Sequence, residues 1–214
     1  MIQKVSIHLV LLGMQLHMAT IQKLSRLKSD LFYVKSISTI PTLPNMDLPD
    51  WSYSKKLLSN VLPSSEEANI TIGILEEKIE GNYFARRLGD NCGILTFYQA
   101  DEILRDANIE VFNYLLLSIY KMVVLYRIGN NRLDEKSWSL VHDETRGCLF
   151  DMVGKKYDLI YSAANAHICP LCEAMLAKKN LPLLFTEILK KELKAIRKSR
   201  YCKMIEFIKH KRCV

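Results

Sequence analysis

Several common signatures are missing from this 214-residue sequence. It has no G-x4-G-K-[ST] loop to cradle phosphates, no G-x-G-x-x-G turn for a dinucleotide and no G-x-S-x-G elbow for a nucleophilic serine, which removes the most recognisable nucleotide and hydrolase chemistries. None of His8, His17, His142, His167 and His210 is followed by Glu, and no two histidines stand four apart, so the helical HExxH zinc motif is absent. Long uncharged apolar runs are lacking too. The nearest, EVFNYLLLSIYKMVVLYRIG at 110–129, carries Lys121 near its middle with Asn113 and Ser118 close by, and reads as a buried core helix rather than a membrane span. The apolar N-terminal stretch has no small-x-small cleavage site, and its alternation through Val5, Ile7 and Leu9 suits a strand, not a signal peptide. Six cysteines are too sparse for a disulfide scaffold in a chain this long. Their clustering favours metal in a reducing compartment, so a cytoplasmic location is expected. Internal repeats and low-complexity segments are absent as well.

What is present is a 49% hydrophobic chain, long enough to bury a real core. Residues 4–12 and 32–40 alternate as strands, 68–75 is β-branched and apolar nearly throughout as in a central strand, and 94–97 suits a further short one. In 32–40, Val34, Ser36 and Ser38 are expected on one face and Tyr33, Lys35 and Ile37 on the other. Helical spacing marks 19–28, 51–62, 99–105 and 108–128, the last closed by Gly129-Asn-Asn. The loop 41–50, with three prolines, separates the second strand from its helix. Alternating strands and helices predict an α/β fold, a mixed sheet with flanking helices.

The densest chemistry lies in His142–Cys172, which holds two of the five histidines and three of the six cysteines. Its end, Cys169-Pro-Leu-Cys172, lets two thiolates face one zinc ion while backbone amides of the turn help neutralise them. Cys148 is the expected third ligand. The fourth is His142, His167 or, less favoured, Asp143. A Cys3His tetrahedron has no open position, which predicts a structural Zn2+ and no catalytic one. Separate buried thiols are the plainer reading of the same residues, and a redox dithiol the weaker.

Charge is uneven. Residues 173–214 hold twelve Lys or Arg against four Glu, a net of +8, and the rest of the chain is close to neutral. The apolar residues Phe185, Ile188, Leu189, Leu193, Ile196, Met204, Ile205 and Ile208 fall at helical spacing, with Lys190, Lys191, Lys194, Arg197, Lys198 and Arg200 on the other side. This suggests an α/β domain over 1–176 and a basic helical extension over 177–214. The extension is either docked with a solvated face or free to meet nucleic acid, an anionic surface or an acidic partner. Tyr201 is the one aromatic directly beside the basic run 190–200, so base-stacking is not expected.

In order and spacing the chain resembles the archaemetzincins, metzincin-type zinc metallopeptidases with an α/β sheet, a core helix bearing HExxHxxGxxH, a following C-x4-C and a late C-x2-C. Ile70–Leu75 with 81–97 looks like the strand and edge segment before the catalytic helix, and 109–129 like that helix. His142 and Cys148 keep the family's spacing between third metal histidine and next cysteine, and Cys169 with Cys172 match the late pair. The departures are chemical. Counting back from His142 puts Arg132 and Lys136 at the first two histidines, Leu133 at the general base and Ser139 at the glycine, while Asp143 replaces a cysteine and Met152 is shifted.

The resemblance therefore implies the fold and the structural zinc without the peptidase activity. The expected function is a non-catalytic interaction or ligand-sensing module with a protein or peptide partner. A zinc peptidase with a non-standard site and a zinc-stabilised nucleic-acid binder are the alternatives.

Overall fold

The computed structural model describes residues 2–133 and 141–196. Lys136, Ser139 and the tail from Arg197 through Ile208 lie outside the described residues. Five strands, β1 (Val5–Leu12), β2 (Phe32–Ile40), β3 (Ile70–Leu75), β4 (Ala85–Gly89) and β5 (Cys92–Thr96), form one sheet of order β2-β1-β3-β5-β4. The first four in that order run parallel, and β4 is antiparallel on the outer side of β5. The helices are α1 (Met18–Ser25), α2 (Lys55–Val61), α3 (Ala100–Asp106), α4 (Val111–Ile128), α5 (Leu159–Asn165), α6 (Pro170–Lys178) and α7 (183–196).

The sheet separates two cores of unequal size. On one face Ile7, Leu9, Ile72 and Leu95 meet α1 and the helices from α3 onward; on the other Val10, Leu12 and Ile94 meet Leu58 of α2. This is the mixed α/β sheet with flanking helices that the alternation predicts. Every residue of β3 is buried, as its unbroken apolar run requires of a strand covered on both sides.

α2 starts at Lys55, four residues later than its pattern suggested, because Ser54 caps it. The Ser54 hydroxyl accepts the Leu57 amide at 3.0 Å and donates to Asp47 at 2.5 Å. In β2 the expected alternation fails. A bulge between the Ile7 and His8 partners leaves Lys35 unpaired, so Val34 pairs Ile7 and Ile37 pairs Leu9 on the same face, with Ser36 and Ser38 on the opposite one. One inserted residue flips the parity of everything after it.

α4 is the spine of the larger core. It is long and apolar enough to cross a membrane, but 67% of it is buried within the fold. It ends at Ile128, after which Asn130 and Asn131 turn the chain in left-handed conformation and bring the Arg132 carbonyl oxygen so close to Gly129 that a Cβ there would stand 2.1 Å from it. Arg132 and Leu133 therefore lie past the helix. The positions reached by counting back from His142, Arg132 and Leu133 among them, are thus not on α4, because the chain turns at Asn130 and Asn131. α7 docks on the same core through Phe185, Leu189, Leu193 and Ile196.

Candidate metal centre

Three backbone pieces converge below α4. His142 and Asp151 form an isolated parallel bridge, with Met152 N–H donating to His142 O at 2.9 Å. Cys148 bridges His167 in the same manner, and Leu149 N–H donates to His167 O at 2.7 Å. Gly147 makes the turn between them at φ +78, where a Cβ would also sit 2.7 Å from Asn165 Cβ. Cys169 is the N-cap of α6, with Pro170 behind it in the first turn. The C-x2-C pair is thus a helix start, in which the Cys172 amide donates to Cys169 Sγ at 3.5 Å and the Cys169 amide donates to Cys148 Sγ at 3.4 Å. Amides at a helix N-terminus favour thiolate over thiol.

The ligand atoms of His142, Cys148, Cys169 and Cys172 all lie within 4.8 Å of one another. His142 Nε2 stands 3.7 Å from Cys169 Sγ. Zinc bonds of about 2.3 Å to sulfur and 2.0–2.1 Å to nitrogen give a tetrahedral S···N edge of about 3.6 Å, so this cluster can hold a zinc ion. His167 and Asp143 are not part of it: His167 turns Nδ1 to Asn165 O at 3.1 Å, and Asp143 is exposed.

With three thiols so close, one ionises readily and the others resist. Burial opposes ionisation of Cys169, but hydrogen bonds from Cys172, Cys148 and His142 outweigh it and pull the group down to about 7. Burial pushes Cys148 and Cys172 up, and the neighbouring thiolate adds to this. A bound divalent cation removes the remaining protons.

Two residues that sequence reasoning left out complete the surroundings. Asp151, with its side chain 1% exposed, accepts the Arg146 amide on Oδ2 at 2.9 Å, while Oδ1 lies 3.4 Å from His142 Nδ1 and has no hydrogen bond among the described residues. His142 Nδ1 is also 3.0 Å from Glu144 O. With a metal bound, these two oxygens would hold the proton on Nδ1 and free the Nε2 lone pair for the ion, the usual outer support of a metal-bound histidine. The second is Lys121, whose ammonium donates to Asp151 O at 3.2 Å. Burial draws its pKa down, opposed by the charges of Asp151, Cys148 and Cys172. Zinc with three thiolates would carry one net negative charge, which would favour the charged form of Lys121 against its burial.

No family model and no curated protein matches the chain. Among solved structures, a zinc-dependent peptidase from Methanocorpusculum labreanum (strain Z) aligns with TM-score 0.45 and 11% identity over 79% of this chain and 99% of that one.

Proposed function

We propose that this chain is a catalytically inactive, archaemetzincin-like domain built around a structural zinc, acting as an interaction or ligand-sensing module. The observation that carries this reading is the composition of α4. On this reading α4 corresponds to a metzincin's catalytic helix, and it has no His, Asp or Glu on any turn. If Gly129 closes the motif, Met122 and Tyr126 stand at the metal histidines and Val123 at the base, and all three are buried in the core. The side of α4 turned to the metal segment offers Asn113, which donates to Ala163 O, and Lys121, with Leu117 one turn from each. A zinc peptidase needs a metal with an open position and a carboxylate to take a proton from its water. The cluster of His142, Cys148, Cys169 and Cys172 already supplies four protein donors.

The metal's role in this reading is to clamp 142–172 against α4, and the partner surface is the outward side of α7. There Lys191 and Lys194 are exposed and Lys190 reaches Glu173 at 2.8 Å. An acidic protein or peptide fits that face.

The purified chain is expected to carry one zinc and to cleave no peptide in a chelator-sensitive manner. Metal analysis beside turnover of a peptide library checks both, and two zinc ions with chelator-sensitive cleavage would promote the peptidase reading. Within the centre, Asp151→Asn is expected to weaken zinc about 10–100-fold by loosening His142. Competition against a chromophoric chelator measures it; unchanged affinity would mean that the 3.4 Å approach of Asp151 to His142 is incidental.

A further inference from the structure

β2 is an edge strand nine residues long, hydrogen-bonded only to β1 among the described residues. Its residues 35–39 are all exposed. A free edge presents a row of backbone donors and acceptors, and natural sheets blunt such rows with charge, proline or bulges. Here both blunting devices sit in the N-terminal half. The bulge falls at Lys35, and the Lys35 ammonium is drawn aside to Glu67, 2.8 Å from its carbonyl and 3.3 Å from its carboxylate. The straight part, Ser36-Ile-Ser-Thr-Ile40, has no charge, no proline and no bulge.

We propose that two copies of this chain pair antiparallel along β2, making one sheet continuous across a two-fold axis. The sequence of the edge selects a second copy as the occupant. With Ser38 on the axis, Ile37 of each chain opposes Thr39 of the other, a β-branched pair of the kind favoured across strands, and Ser36 opposes Ile40. No like charges meet, since Lys35 falls opposite Pro41, where the strand has ended. A patch that complements itself in this manner closes as a dimer and does not propagate. The ladder is short, so the dimer is weak and depends on concentration.

Light scattering behind size exclusion, from low micromolar to submillimolar protein, is expected to show the wild type passing from monomer to dimer. Chains carrying Ile37→Lys with Thr39→Lys, or Ile37→Glu with Thr39→Glu, are expected to stay monomeric alone and to form a one-to-one dimer when mixed. Both positions are exposed, so their melting temperatures should match the wild type. In the unmodified protein, amides of 36–40 should gain exchange protection as concentration rises. A wild type that is monomeric throughout, a dimer that survives in both charged variants, or a mixture that stays monomeric overturns the proposal. Any of these would leave the edge to another segment or another partner.

Discussion

Cys172→Ser removes the zinc and lowers stability by several kcal/mol, because metal affinity and folding are linked when the site has no counterpart in the unfolded chain. Cys172 is wholly buried and lies in the first turn of α6, with Cys169 capping that helix and Cys148 arriving from the bridge to His167. Losing one donor releases all three pieces, since they are tied by two isolated bridges and not by a continuous sheet. At about 2–4 °C per kcal/mol for a chain of this size, the melting temperature should fall by about 6 °C or more. His167→Ala is the control: it lies in the same segment outside the cluster, and its zinc content should match the wild type. A Cys172→Ser protein with unchanged zinc and unchanged melting would refute the centre.

The second large effect is expected in α7. Leu189→Ala should cost about 2–5 kcal/mol, the range for emptying a fully buried leucine site. Cutting the chain after Lys179 should cost far more, giving aggregation or loss of cooperative melting. Phe185, Leu189 and Leu193 are inserted among the residues of the larger core. Glu192 fixes the helix to the start of β2, accepting from Ser29 Oγ at 2.7 Å, the Asp30 amide at 2.8 Å and Tyr120 Oη at 2.5 Å. The basic stretch is thus anchored by its apolar side up to Ile196. Thermal melts and light scattering check this, and a truncated protein that stays monomeric with a wild-type transition would show that α7 is dispensable.

Much of the framework was legible because single stretches carry it. β3 declares itself by six apolar or small residues in a row, α4 by its length and the glycine behind it, and β1 by alternation. What stayed hidden depends on contacts remote in sequence. β4 reads as loop because Arg86 and Arg87 stand between glycines, and becomes a strand only by borrowing β5 as partner. The parity of β2 turns on a bulge set by its neighbour β1, which leaves no mark in 32–40. α5 is a seven-residue helix whose Ala163 and Ala164 are buried by neighbours and not by its own periodicity.

The centre divides along the same line. Spacing alone proposed the three cysteines, and geometry separates His142 from His167 and Asp143 by which side chain turns toward the sulfurs. Asp151 and Lys121 were invisible as a pair, being thirty residues apart and joined through a backbone carbonyl. The only hint of Lys121 was its oddity, an ammonium midway along an apolar helix.

That lysine also bears on which substitutions the chain can tolerate. Its ammonium sits where burial penalises it, supported by the Asp151 carbonyl and by the negative charge of the cysteine cluster. Positions 121, 151 and 142 are thereby expected to be coupled: a change at any one should alter the cost of a change at the other two. A substitution at any one of the three is therefore a change to a linked triplet and not to a single site.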